Sequence, residues 1–149
     1  MYCKKGFTLL EMIVTVIIVG VLSAVAIPHF QYAMEKIKSA EGMQILVVLL
    51  DSQTRHAMEN NGEFADLMTD LDVTISTPSN FKAPNNGDIS STNPIATVDR
   101  KGGQAPGGNY SLTIDSDGTI KCTGSATSCS KLSCVEVTGP DGVLANVCN

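Results

Sequence analysis

The sequence predicts an α+β protein: a long N-terminal α-helix, hydrophobic in its first half, packed on a small antiparallel β-sheet with a disulfide-stapled C-terminal region. Three observations carry this expectation. An apolar run from Phe7 to Ile27 leads into a helical pattern that ends near Asn60-Asn61-Gly62. Residues 110–122 alternate apolar and polar side chains around Asp117-Gly118. Four cysteines fall in the last 28 residues. At 149 residues the chain supports one globular domain plus this stem.

The stem comes first. Phe7 to Ile27 is 21 residues, about 30 Å of helix, which matches a bilayer's hydrocarbon core. Ile13, Val14, Val16, Ile17, Ile18, Val19, Val21 and Leu22 leave no polar face, which excludes an amphipathic surface helix. Lys4 and Lys5 hold the short N-terminal end in the cytoplasm. An ordinary secretory signal peptide fits less well. The small residue Gly6 precedes the apolar run instead of following it, and the helical pattern continues past Ile27. Glu11 is also out of place there, since a carboxylate in a lipid-facing run costs about 3 kcal/mol by insertion scales.

Lys5-Gly6-Phe7-Thr8-Leu9-Leu10-Glu11, with Gly20 and Pro28 beyond it, resembles the N-terminus of type IV pilins and of the related pseudopilins of type II secretion. The resemblance is tight over residues 4 to about 60 and only architectural after that. It implies a leader at 1–6, cleaved between Gly6 and Phe7 by a prepilin peptidase that also N-methylates Phe7. It further implies a structural subunit that waits in the inner membrane as a single-pass protein. The subunit then joins a homo-oligomeric helical filament at the cell surface, driven by an assembly ATPase and a membrane platform. Adhesion, motility or DNA uptake would follow from the filament. Glu11 would neutralise the Phe7 amine of a neighbouring subunit, a pairing that serves registry because a low-dielectric site penalises misplaced charge. A pseudopilin of type II secretion is the alternative within the family; two C-terminal disulfides resemble pilins more. A membrane-anchored binding domain that never polymerises is the alternative outside it, and predicts an uncleaved Gly6–Phe7 bond.

Residues 7–28 are thus expected to form the transmembrane and filament-core half of the helix, and 29–61 the half that packs on the head. Pro28 should kink or locally melt the helix, and Gly20 adds a second soft point that permits close helix approach. From His29 the pattern turns amphipathic: Phe30, Ala33, Met34, Ile37, Ala40, Met43 (or Gln44) and Val47 recur at three- and four-residue spacing, with Glu35, Lys36, Lys38 and Glu41 between them. Ile45 to Leu50 is continuously apolar and expected under the sheet, with Gly62 ending the helix in the left-handed region.

The head spans 62–149. Residues 64–71 suggest a short helix, and the remainder of 62–109 is dense in prolines and glycines, with one strand at Ile95–Asp99. Tyr110–Ile114 and Thr119–Cys122 form the clearest hairpin, followed by strands at Leu132–Val137 and Val143–Cys148 joined by an Asp141-Gly142 turn.

Cys122, Cys129, Cys134 and Cys148 lie in a domain expected outside the cytoplasm, which favours two disulfides. Three pairings are open; Cys122–Cys129 with Cys134–Cys148 is preferred. No Cys-x-x-Cys pair supports zinc. Cys3 falls in the leader. The formal charge is −5, and loss of Lys4 and Lys5 would leave eight basic against fifteen acidic side chains, a net of −7. No basic cluster signals nucleic acid. Asp115-Ser-Asp-Gly lacks the other ligands of a calcium loop and reads as a turn. His29 and His56, the serines 125, 128 and 130, and the glycine-rich 102–108 assemble no catalytic constellation. The chain is expected to be neither an enzyme nor a holder of cofactor or metal.

Overall fold

The computed structural model describes residues 6–102, 105–132, 134–138 and 144–148. Helix α1 spans Leu9–Glu59. Its start is fixed locally: Thr8 lies in extended backbone and its hydroxyl accepts the Glu11 amide at 3.2 Å. That satisfies one of the donors a helix leaves free at its first turn. Its end is equally local. Asn61 takes φ 56° and Gly62 φ 92°, and the Gly62 amide reaches back to the Ala57 carbonyl at 2.7 Å. Two residues, not Gly62 alone, therefore turn the chain. The helix stays unbroken through Gly20 and Pro28. Of the two outcomes expected at Pro28, local melting does not occur, because proline removes one backbone bond while the flanking turns keep theirs.

Five strands follow: β1 Ala96–Asp99, β2 Tyr110–Ile114, β3 Ile120–Gly124, β4 Cys134–Thr138 and β5 Leu144–Cys148. They form one antiparallel sheet in the order β1-β2-β3-β5-β4. The β2–β3 hairpin pairs Ile114 with Ile120 and Tyr110 with Gly124. Its turn uses both aspartates of the discounted calcium run: Asp117 accepts the Thr119 amide at 2.8 Å, and Asp115 pairs with Lys121 at 2.5 Å. Gly118 sits at φ +86°, a conformation that costs glycine nothing.

The α+β class, with a long helix on a small antiparallel sheet, is as the sequence predicts. Three local expectations are corrected. Residues 64–71 hold only a single 3₁₀ turn at Met68–Asp70. The polar loop around Ser125, Ser128 and Ser130 contains a short helix, α2 at Ala126–Lys131, which Leu132 terminates; the next strand therefore begins at Cys134. Ser128 is buried and donates to the Gly108 carbonyl at 2.8 Å, tying α2 to the glycine-rich loop. The Asp141-Gly142 turn lies outside the described residues.

The third correction concerns the face that α1 presents to the head. The helix packs on β1 and β2 through Glu35, Ser39, Gly42, Ile45, Leu46, Leu49, Ser52 and Gln53. Part of the apolar stripe expected there lies open, with Phe30 65% and Ile37 67% exposed and Val47 exposed as well, whereas Met43 packs against the core and Ile45, Leu46 and Leu49 are buried as expected. Leu46 and Leu49 meet Phe81, Ile95, Val98, Leu112 and Ile114 in the core. Gly42 makes this approach possible. A Cβ there would lie 2.6 Å from Phe81 Cζ and 3.0 Å from Leu112 Cδ1.

The cysteines pair as Cys122–Cys129 and Cys134–Cys148. The first ties α2 to β3, and the second crosses directly opposed residues of β4 and β5.

Candidate functional site: the exposed stem and its joint with the head

Two parts of α1 bear on function. The first is the N-terminal half. Phe7 and the apolar residues from Leu9 to Ile27 are solvent-exposed, and no other described residue packs over them. By length and composition this helix suffices to cross a membrane. Exposed apolar surface on this scale requires either lipid or protein to cover it. Gly6, Phe7 and Thr8 precede the helix in non-helical backbone, and no atom of another segment lies within 4 Å of where a Gly6 Cβ would stand. Among the described residues nothing covers Gly6 or Phe7, both of which are exposed. Glu11 lies in the first helical turn and is exposed. Position 20 is likewise open for close approach by another helix. The leader residues 1–5 lie outside the described residues.

The second part is the joint that fixes the head on the stem. Glu35 is only 3% exposed. The Arg100 guanidinium donates to it in a fork, Nε to Oε1 at 2.5 Å and Nη2 to Oε2 at 3.2 Å. The Tyr110 hydroxyl donates to Oε1 at 3.0 Å. Nη1 of Arg100 caps the Asn80 carbonyl at 2.5 Å, and the guanidinium lies 5.9 Å over the Phe81 ring. Burial alone would raise the Glu35 pKa, but the bonds from Arg100 and Tyr110 outweigh it and hold the carboxyl below its ordinary value. Burial, with the Glu35 carboxylate beside it, pushes the Tyr110 hydroxyl pKa well up against the opposing pull of Arg100.

Further along, the Glu41 carboxylate accepts the backbone amides of Ser79 at 2.6 Å and Asn80 at 3.0 Å, and the Asn80 side chain at 2.6 Å. Ser52 donates to Asp72 at 2.6 Å. Gln53, fully buried, accepts the Ala65 amide at 2.7 Å and donates to the Ala65 carbonyl at 2.9 Å. Among the described residues no buried side-chain nitrogen or oxygen lacks a partner. Glu35 and Arg100 escaped sequence reasoning because their bond joins positions 65 residues apart. The only available signal was that Arg100, one of two arginines in the chain, closes an apolar strand.

His29 is exposed on α1, and His56 Nδ1 lies 3.2 Å from the Asp70 carbonyl. The two do not meet in a common site, and among the described residues no three His, Cys, Asp or Glu side chains are grouped to hold a metal.

No solved structure matches the chain. Residues 1–27 match the family model of the prokaryotic N-terminal methylation motif. The matched segment coincides with the exposed Gly6–Phe7 bond, Glu11 and the apolar helix half. The chain thus carries at its N-terminus the methylation motif that is the hallmark of type IV pilins and pseudopilins, joined to an apolar helix long enough to cross a membrane.

Proposed function

We propose that this chain is a structural subunit of a type IV pilus. The leader 1–6 is removed between Gly6 and Phe7, Phe7 is N-methylated, and the subunit polymerises through α1 into a helical surface filament. The observation that carries this is the exposed apolar stem ending in exposed Gly6 and Phe7 within the methylation motif. Heterologous contacts that do not close on themselves generate such open filaments. In the filament, stems bury one another and the disulfide-stapled heads face outward. Glu11 of one subunit neutralises the Phe7 amine of the next; a mispositioned subunit would leave both charges unpaired in apolar surroundings. The motif implies a prepilin peptidase as processing partner, and an assembly ATPase with its membrane platform supplies extension.

Intact mass spectrometry of protein from sheared surface fibres and from membranes tests this. The expected result is a chain lacking residues 1–6, carrying one methyl group, and short of two hydrogens per disulfide, in both fractions. Processed protein confined to membranes would assign the chain to a secretion pseudopilus instead. An intact leader in both fractions would refute processing altogether.

A further inference from the structure

The charges of the head are sorted along α1. At the end nearest the stem, up to the level of Glu41, Lys36, Lys38, Lys82, Arg100, Lys101 and Lys131 stand with Glu35, Glu41 and Asp99. Among the described residues that is six basic against three acidic side chains, a net of +3. At the far end Asp51, Glu59, Glu63, Asp66, Asp70 and Asp72 stand with Arg55, six acidic against one basic, a net of −5. The chain as a whole is acidic, at −5, so the positive end is a matter of placement and not of composition. The acids at that end are also spoken for. Glu35 holds Arg100, Asp99 pairs with Lys82, and Glu41 accepts the Ser79 and Asn80 amides. Lys36 and Lys131 are exposed, and Lys38 is partly so.

We propose that this stem-proximal end of the head, centred on Lys36, Lys38 and Lys131, is a docking surface for the anionic lipid headgroups of the membrane that the stem spans. This rests on the membrane-anchored stage of the reading above. Continuity with the apolar run and the sign of the charge identify the occupant. Tyr32 lies about 8 Å of helix beyond Ile27, and Lys36 and Lys38 about 14–17 Å beyond it. The headgroup layer is about 5–8 Å deep on each side of the hydrocarbon core. Side chains on a helix lean toward its N-terminus, which here is the membrane side, so both lysines reach back toward that layer. Their charges then fall within about a screening length of about 8 Å at physiological salt. Lys131 arrives from another segment. The Cys122–Cys129 disulfide ties α2 to β3, and Lys131 Nζ stands 5.4 Å over the Tyr32 ring. A tyrosine at this depth suits the membrane–water interface, as does exposed Phe30 beside it. The acidic far end is repelled by the same surface, so attraction and repulsion both set the basic end against the bilayer.

The test uses the full-length chain in a Cys3→Ser background, with a donor fluorophore on Gln31→Cys or, as the distal control, on Glu63→Cys. Both positions are exposed. The protein is reconstituted in vesicles of phosphatidylcholine with one third phosphatidylglycerol. A trace lipid carries the same acyl-chain acceptor on either a phosphatidylglycerol or a phosphatidylcholine headgroup. Energy transfer from position 31 should be at least about twofold greater to the anionic acceptor, and transfer from position 63 equal for both. The preference should vanish in Lys36→Gln/Lys38→Gln/Lys131→Gln, which keeps good helix formers at 36 and 38, and in salt of about 0.5 M. Lys131→Gln alone leaves α1 untouched and should lower the preference partway. Equal transfer to both acceptors from position 31 overturns the proposal, and is the result expected if the acidic end of a second copy covers the lysines instead. A preference that persists unchanged in both variants overturns it as well. Flotation separates the two readings: a chain that does not float with either vesicle refutes the membrane-spanning stem and the docking surface together, whereas flotation without lipid preference refutes the docking surface alone.

Discussion

Replacing Arg100 by alanine probes the joint most directly. The substitution removes both bonds to Glu35, the cap on the Asn80 carbonyl, and the cation over Phe81. Glu35 is left buried with one neutral donor, Tyr110, and with Lys38 Nζ 4.0 Å away. Removing one partner of a buried ion pair costs about 3–5 kcal/mol, mostly from stranding the other charge. Against a total stability of roughly 5–15 kcal/mol for a domain, that is a large share. For a head of this size it corresponds to a fall in melting temperature of roughly 16–27 °C. Near-ultraviolet circular dichroism of the full-length protein in detergent follows the head through Tyr110, Phe64, Phe81 and the two disulfides. The pH dependence supplies an internal check. Glu35 titrates below its ordinary value near 4.5 in the folded chain, because the bonds from Arg100 and Tyr110 outweigh its burial. Its contribution is therefore complete above about pH 4.5 and lost as the pH falls through the folded value. In Arg100→Ala only burial and the weaker neighbours act, so the deficit relative to wild type should shrink on acidification. A loss below about 1 kcal/mol at pH 7, the range of exposed pairs, would refute the buried joint.

Further outcomes are expected elsewhere. Gly42→Ala gains about 1 kcal/mol in helix propensity but places a Cβ 2.6 Å from Phe81; overpacking of about 1–3 kcal/mol should win, giving net destabilisation by denaturant titration. An unchanged or raised midpoint would show that the helix can shift away from Phe81. Cys122→Ser with Cys129→Ser removes a short loop closure and should cost about 2–3 kcal/mol, read as a lower melting temperature without loss of the stem's helicity. Glu11→Ala should leave membrane insertion intact and impair filament assembly, seen by fractionation and electron microscopy; normal filaments would contradict the registry role. Tyr110→Phe should cost about 1.5–3 kcal/mol, the value of a bond to a charged group, and a chemical-denaturation midpoint equal to wild type would remove the hydroxyl from the joint.

The sequence by itself determined whatever is written in short-range patterns. The uninterrupted apolar run, Thr8 at the cap and the Asn61-Gly62 stop define a helix within a residue or two of Leu9–Glu59, because caps and periodicity act through neighbours in the chain. Alternation at Tyr110, Leu112 and Ile114 around Asp117-Gly118 likewise defines the hairpin. The methylation motif is legible for the same reason. The apolar run 45–50 placed Ile45, Leu46 and Leu49 under the sheet, but tertiary structure decided the rest of the face of α1 that the head covers. The apolar spacing pointed to Phe30, Met34 and Ile37, yet the sheet sits on Glu35, Ser39, Gly42 and Gln53. The difference arises because the deciding bonds, from Glu35 to Arg100 and Tyr110, span 65 and 75 residues. Short helix α2 and the choice among three cysteine pairings were decided in the same way, by which segments the sheet brings within reach. Local pattern fixes which elements form; the fit of distant side chains fixes the face by which they meet.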